Sequence, residues 1–211
     1  MNRLPGFVRQ HIAGLRALLI FTVITGIIYP LVIAGIAQVA FESHANGSLV
    51  RFHGRVVGSS LLCQEFVDAK GNPMPQYFQP RPSAAAQAGN AKDYGCDAVY
   101  SSASNLGPNN PVLVNLVRQR QRQIAAFDHV PASTIPPDAV AASGSGLDPD
   151  ISPQYAAIQV DRVAAARRIT PAQVEALVRH YTSGRVLAFL GEPVVNVLLL
   201  NIALDQKYPV P

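Results

Sequence analysis

The sequence predicts a single N-terminal transmembrane α-helix followed by a mixed α/β extracytoplasmic domain. Two observations support this fold class. Residues 17–41 contain no charged side chain, and the chain after them changes from a stretch rich in Gly and Pro to apolar segments with helical spacing. We therefore divide the chain into a basic cytoplasmic tail at 1–16, a membrane helix at 17–41 and an outer domain at 42–211.

The uncharged run is long enough to cross a bilayer. At about 1.5 Å per residue it would extend roughly 37 Å, against a hydrocarbon core of about 30 Å. Arg3, Arg9 and Arg16 precede it, with no acidic residue among them. The positive-inside rule then predicts a single-pass protein of the plasma membrane with a cytoplasmic N-terminus. A signal peptide cleaved after Ser43-His44-Ala45 is the alternative, but the apolar core of such a peptide is usually about 7–15 residues.

One face of the predicted membrane helix carries small and polar side chains. Positions four apart lie close together on a helix. Every fourth residue here is of this kind: Thr22, Gly26, Pro30, Ala34 and Gln38. Gly and Pro are common in membrane helices generally, but small residues at regular spacing let a second helix approach closely. We predict that this stripe contacts a partner helix.

The charge distribution argues against nucleic-acid binding. The formal net charge is +4, but three of the 17 Lys and Arg residues precede the membrane run, which leaves 14 basic against 13 acidic residues after it. The outer part is therefore nearly neutral and shows no nucleic-acid motif. Its length suits one domain with a hydrophobic core.

Two cysteines, Cys63 and Cys96, lie in the predicted outer domain, where a disulfide is permitted. Such a bond would close a loop of about 33 residues and stabilise the domain by about 3–4 kcal/mol. Two buried thiols are the alternative, and the sequence does not decide between them. Neither cysteine belongs to a C-x-x-C pair and the histidines show no metal-ligand spacing, so we predict no metal site.

The outer domain is predicted to begin with short strands and long loops and to continue with helices. Residues 46–110 are rich in Gly, Pro, Ser and Asn. The predicted helices span about 111–127, 153–168 and 171–182. Each follows a capping residue and has proline at its first position: Asn110, Ser152 and Thr170 are the caps. The first helix is predicted to bury Leu113, Leu116, Val117, Ile124 and Phe127.

The apolar segment 194–204 is either a buried strand or a buried helix, because its periodicity fits both. It contains Asn196 and Asn201. Buried amides must be hydrogen-bonded, so we expect these two side chains to organise neighbouring loops.

The sequence offers little catalytic chemistry. It has no G-x-S-x-G elbow and no G-x-x-x-x-G-K-[ST] phosphate loop. The Ser/Gly stretch 143–146 is compatible with a backbone nest that holds an anion. Asp148 and Asp150 would repel a phosphate there, which favours a capped turn at the entry of the next helix.

Several segments are too specific in composition to be ordinary loops. They are Tyr77-Phe78, Arg81-Pro82-Ser83, Ser104-Asn105-Leu106-Gly107-Pro108, Ser143-Gly144-Ser145-Gly146-Leu147-Asp148-Pro149, Gln159, Arg162-Val163-Ala164 and Val195-Asn196-Val197 with Leu200-Asn201. These segments resemble the C subunit of the bacterial Kdp potassium-transporting P-type ATPase. Together with the N-terminal helix they span nearly the whole chain in order.

The resemblance implies an accessory, non-catalytic subunit of an ATP-driven potassium uptake complex. Its partners would be a potassium-conducting membrane subunit, an ATP-hydrolysing P-type subunit, a very small membrane subunit and the lipid bilayer. The chain itself lacks the Asp-Lys-Thr-Gly phosphorylation sequence of the hydrolysing subunit. The alternative is a membrane-tethered extracytoplasmic ligand-binding protein or enzyme.

The family subunit is described as a catalytic chaperone that raises the ATP affinity of the pump, with ATP binding of its own proposed. The residues that would take part in nucleotide binding are Ser143, Gly144, Ser145 and Gly146. The predicted topology argues against a direct role, because an outer domain meets essentially no ATP, and we expect the chain to have no cofactor of its own. The residues expected to bind partners on the outer face are Tyr77, Phe78, Arg81, Pro82, Ser104, Asn105, Leu106, Asn196 and Asn201.

Overall fold

A computed structural model describes residues 5–86 and 95–210, so Arg3 of the predicted basic tail lies outside the described residues. The chain divides into two compact units between Ser48 and Leu49. The first unit is helical, and the second is a mixed α/β domain.

The first unit is a long apolar helix, α1 (Gly6–Ala40), followed by a short helix, α2 (Glu42–Ala45). By length and composition α1 is suited to cross a membrane. It begins eleven residues before the predicted span, because no proline lies between Pro5 and the uncharged run to end the helix. Part of the predicted tail, including Arg9 and Arg16, is therefore helical.

A π-helical segment, Ile24–Ile28, interrupts α1. The Tyr29 N–H donates to the Ile24 carbonyl, five residues back. Pro30 explains this irregularity, since it has no N–H to donate and its ring would clash with the Gly26 carbonyl in a regular helix. The extra residue in the turn also realigns the predicted small-residue stripe. Its five members drift by about 60° around the axis instead of the roughly 160° of an uninterrupted α-helix.

The second unit contains five helices and five strands among its described residues. The helices are α3 (Pro111–Asp128), α4 (Pro137–Val140), α5 (Pro153–Arg167), α6 (Pro171–His180) and α7 (Val197–Lys207), with a 3₁₀ turn at Ala132–Thr134. The strands are β1 (Leu49–Phe52), β2 (Arg55–Ser59), β3 (Asp150–Ile151), β4 (Thr182–Ser183) and β5 (Val194–Asn196).

The strands form two small antiparallel sheets. β1 and β2 make a hairpin whose two-residue turn, His53-Gly54, has positive φ at both positions. The other sheet has the order β3-β5-β4, with Ile151 opposite Val195 and Ser183 opposite Val194. The main core lies where α5, α6 and α7 pack around β5.

The three predicted helix starts are confirmed. The side chains of Asn110, Ser152 and Thr170 each accept a hydrogen bond from a backbone N–H of the first turn, and Thr170 forms a complete capping box with Gln173. The segment 194–204, which the sequence left open between strand and helix, begins as the strand β5 and continues directly as the helix α7.

The burial predicted for α3 is wrong in degree. This helix packs against α4 and α5 on one side only, so its apolar residues are half-buried. They are Leu113, Leu116, Val117, Ile124 and Phe127. Arg120 of the same helix is also half-buried and donates to the Val140 carbonyl at 2.8 Å.

Candidate functional site

The loop 75–79, which contains the predicted site residues Tyr77 and Phe78, is held by side chains of α5 and α7. Arg162 donates to the carbonyl oxygens of Pro75 (2.6 Å) and Tyr77 (2.9 Å). Arg167, nearly fully buried, donates to the carbonyl of Gln76 at 2.7 Å. Regular secondary structure would satisfy such groups with backbone partners, but here guanidinium groups do so.

Two buried amides complete this arrangement. Asn201 accepts from the Phe78 N–H and donates to the Phe78 carbonyl, both at 2.9 Å. Gln159 does the same for Gln79, at 2.7 Å and 3.2 Å. All five carbonyls of the loop 75–79 therefore accept a hydrogen bond from a side chain. We call these four side chains (Gln159, Arg162, Arg167 and Asn201) the polar clamp.

The charges of the polar clamp are compensated inside the domain. Arg162 pairs with Asp128 at 2.6 Å, and both side chains are almost completely buried. Burial raises the pKa of Asp128, and the neighbouring Arg162 opposes that rise. Arg167 pairs with Asp205 at 2.8 Å, and Asp205 also accepts from the Tyr77 hydroxyl. Burial, with the Asp205 charge, raises the pKa of Tyr77.

The clamp residues were not predicted as a unit. The sequence does carry one signal for them. Tyr155, Gln159 and Arg162 follow one another at spacings of four and three residues, so α5 turns them to one face together with the apolar Val163. Polar residues on an otherwise apolar face indicate buried hydrogen bonding, but not which backbone groups they bind.

The Ser/Gly loop 143–146 is held by contacts within itself and to its neighbours. The Ser143 hydroxyl accepts from the Gly146 N–H, and the Ser145 hydroxyl accepts from the Leu147 N–H, both at 3.0 Å. Gly146 has φ 75°, and a Cβ there would lie 2.5 Å from the Ser102 carbonyl oxygen. Its carbonyl accepts from the Ser83 hydroxyl at 2.6 Å. These contacts match the capped-turn interpretation, since two of the amides that a nest would offer are already bound.

Two further links tie the same loops together. Arg81 pairs with Asp148 at 2.8 Å. Cys63 and Cys96 form a disulfide, which settles the alternative left open by the sequence. The ion pair joins this region to the loop that contains Asp148, and the disulfide closes the chain between Cys63 and Cys96 on itself.

The predicted partner-binding residues of the outer domain fall into two groups. Ser104 and Asn105 are exposed in a segment without regular secondary structure, whereas Phe78 and Asn201 are buried. Buried side chains act on a docking surface only by positioning the backbone above them. The other predicted residues are half-buried: Tyr77, Arg81, Pro82, Leu106 and Asn196.

Asn196 links three parts of the second unit. Its side chain caps α7 by accepting from the Leu199 N–H, and its amide donates to the Ser60 carbonyl and to Asp150. Burial raises the pKa of Asp150. The prediction that the two asparagines organise neighbouring loops is confirmed.

Every residue of the stripe on α1 is exposed within the described first unit, from Thr22 to Gln38. The Gln38 amide exchanges side-chain hydrogen bonds of 3.3 Å with Asn46. An exposed surface of small and polar side chains on an apolar helix is compatible with lipid or with another membrane helix.

A cavity of about 690 Å³ lies between α3 and the segment 79–83. Its lining is mainly apolar and includes Phe127 and Ile124, with guanidinium groups from Arg81 and Arg120. The Arg81 Nε is buried and has no hydrogen-bond partner among the described residues. Burial lowers the pKa of Arg120. Within residues 5–86 and 95–210, no group of three His, Cys, Asp or Glu side chains is placed to hold a metal ion.

Comparison with known proteins identifies the family. The family model described as "K+-transporting ATPase, c chain" matches residues 11–206. The chain is 48% identical over 199 residues to the potassium-transporting ATPase KdpC subunit of Mycobacterium tuberculosis, covering 94% of this chain and 98% of that protein.

Two other relatives with the same name show similar agreement. The subunit of Sorangium cellulosum is 51% identical over 188 residues, which is 89% of this chain and 93% of the relative. That of Beijerinckia indica is 46% identical over 202 residues, covering 95% and 96%. The chain therefore belongs to the c-chain family of K+-transporting ATPases.

Proposed function

We propose that this protein is the accessory subunit of a high-affinity, ATP-driven potassium uptake complex and that it assembles and stabilises that complex. The observation that carries the proposal is the match of residues 11–206 to the c-chain family, with relatives of nearly equal length. The chain has no catalytic role in this proposal. Its partners are a potassium-conducting subunit, an ATP-hydrolysing P-type subunit and a very small membrane subunit.

The second unit lies on the extracytoplasmic side of the plasma membrane in this proposal. The arginines before the uncharged run support a cytoplasmic N-terminus, and α1 is long enough to cross the bilayer once. The Cys63–Cys96 disulfide supports the same orientation, because disulfides persist in oxidising compartments.

The outer domain docks on the outer mouth of the potassium-conducting subunit. Its near-neutral charge and its loop-rich exposed surface around Ser104 and Asn105 support this role. The polar clamp supports it indirectly, since a loop fixed from inside presents a constant surface outside. The α1 stripe provides a second contact, with a helix of a partner subunit.

The catalytic-chaperone effect on ATP affinity acts through α1 and through the integrity of the complex. A domain outside the membrane does not reach a nucleotide in the cytoplasm. In the loop 143–146, the amides of Gly146 and the following Leu147 already bind serine hydroxyls. ATP bound by the purified chain at cellular concentrations, with the domain located in the cytoplasm, would overturn this part of the proposal.

The decisive experiment is a mild-detergent pull-down of the tagged full chain from its own host, followed by mass spectrometry. We expect two large membrane subunits to be recovered with it and no activity from the chain alone. Recovery of the chain without them, under conditions where those subunits are expressed, would contradict the proposal.

One observation favours the alternative function, a membrane-tethered ligand-binding protein. The cavity beside α3 has the size of a small-molecule site and is lined in part by Arg81, whose buried Nε has no hydrogen-bond partner among the described residues. That function predicts a small molecule retained by the purified chain, which native mass spectrometry would detect. Arg120→Ala, which alters a residue lining the cavity, would then abolish this retention.

A further inference from the structure

The hairpin that joins β4 to β5 forms an exposed arm of the second unit, residues 183–192. All ten of these residues are exposed. β4 and β5 pair at its base, and further out Val186 and Leu190 exchange two backbone hydrogen bonds of 2.9 Å. The arm is therefore a narrow hairpin with a paired backbone.

The tip of this arm, residues 186–190, is entirely apolar. The relative exposures are 67% for Val186, 74% for Leu187, 72% for Phe189 and 49% for Leu190. Single exposed apolar residues are ordinary on protein surfaces, but a contiguous group of large ones marks an interaction site.

The charges of the arm are neutralised at its base. Arg185 pairs with Glu192 at 2.8 Å, and its Nε donates to the Gly191 carbonyl at 3.0 Å. The arm thus offers no unpaired cation to a lipid headgroup, whereas segments that bind membrane surfaces usually combine apolar residues with Lys or Arg. An uncharged tip on a neutral base fits an uncharged protein recess better than a bilayer surface.

The backbone of the tip is set in an unusual conformation before any partner binds. Leu187 and Ala188 have φ values of 53° and 67°, in the left-handed region where Gly or Asn is normally found. A turn of this kind would form more easily with glycine. The apolar side chains at these positions are therefore not explained by the turn itself.

We propose that the tip 186–190 is an anchor that inserts into an uncharged, apolar recess on a membrane subunit of the same complex. This inference rests on the proposed function, which provides the partner. A rigid hairpin bearing an aromatic and aliphatic tip is suited to this task, because little conformational freedom is lost on binding. Leu187 and Phe189 are the two most exposed side chains and make the deepest contacts.

The first test compares recovery of the complex with two variants of the tagged full chain. The double variant Leu187→Ser/Phe189→Ser should recover at least tenfold less of the partner subunits. The matched control Val99→Ser, which alters an 83% exposed valine elsewhere, should recover wild-type amounts. Circular dichroism should show the same fold for both. Wild-type recovery by the double variant would overturn the anchor while leaving the proposed function intact, whereas a wild-type chain that recovers no subunits would overturn the proposed function itself.

A second test locates the tip directly. The chain contains no tryptophan, so Phe189→Trp introduces a single fluorescent reporter. Its emission, taken as the difference between complexes carrying the variant and the wild-type chain, should shift to shorter wavelength relative to the free variant in detergent. A blue shift in vesicles of the variant alone would indicate bilayer insertion and overturn the proposal. Unshifted emission in the complex would also overturn it.

Discussion

The loop 75–79 and the arm tip 186–190 are both five-residue connections, but different interactions hold them. Each carbonyl of the loop binds a buried side chain, and Phe78 is completely inside the domain. The backbone of the tip is hydrogen-bonded within the arm, and its apolar side chains are exposed. Side chains of its own domain thus fix the conformation of the loop. The apolar composition of the tip is instead accounted for by the proposed partner outside the domain. Substitutions in the two regions should therefore change different measurements.

The largest expected effect comes from the buried ion pair of the polar clamp. Arg162→Met leaves the Asp128 carboxylate buried without its partner and removes the donor for two loop carbonyls. We expect the free energy of unfolding of the detergent-solubilised chain to fall by about 3–5 kcal/mol. Urea denaturation followed by circular dichroism measures this change. Arg179→Ala, which removes an exposed pair within α6, should stay within about 0.5 kcal/mol of wild type.

The pH dependence of the stability of Arg162→Met tests whether the unpaired Asp128 carboxylate causes the loss. Burial raises the pKa of Asp128, and without Arg162 nothing equivalent opposes that rise. A carboxyl whose folded pKa exceeds its unfolded value binds more protons when folded, so folding is favoured as pH falls. The deficit of Arg162→Met should therefore shrink from neutral pH towards about pH 4. A deficit that grows over this range would mean that Asp128 is not the unpaired group.

A smaller loss is expected from the amide of the clamp. Asn201→Leu nearly preserves volume but leaves the Phe78 N–H and carbonyl without partners. At about 1–2 kcal/mol for each of these two unsatisfied groups, the lower half of the usual range, we expect a loss of roughly 2–4 kcal/mol. Differential scanning calorimetry should show it as a lower Tm. An unchanged Tm would mean that water replaces the amide, and the clamp would then contribute less rigidity than the geometry indicates.

The sequence predicted the helices of the second unit better than its loops, for a physical reason. A cap such as Ser152 followed by proline acts within a few residues, so Asn110, Ser152 and Thr170 were readable directly. The polar clamp joins residues 80 or more positions apart, as in the Arg162 contacts to Pro75 and Tyr77. No local pattern encodes such a pairing. The half-burial of α3 also depends on its packing against α4 and α5, which composition does not contain.

The exposure of the arm also could not be predicted from the sequence. Nothing in the stretch 186–190 distinguished it from a buried strand, because five consecutive apolar residues usually indicate core. Only the observed exposure of these residues separates an anchor from a core segment. The α1 stripe is intermediate. Its spacing was visible in the sequence, whereas the π-helical turn that brings its members closer to one line was not.

The smallest expected effect on stability comes from the tip. Leu187→Gly removes a side chain from a residue at φ 53°. The left-handed conformation disfavours a non-glycine residue by about 1–2 kcal/mol, and glycine loses about 0.5–1 kcal/mol through its greater freedom when unfolded. We therefore expect the free energy of unfolding to stay equal or rise by up to about 1 kcal/mol. A loss above about 2 kcal/mol would show that Leu187 packs on its own domain. Unchanged stability with reduced recovery of the partner subunits would place its contacts outside the chain, opposite in kind to those of Asn201.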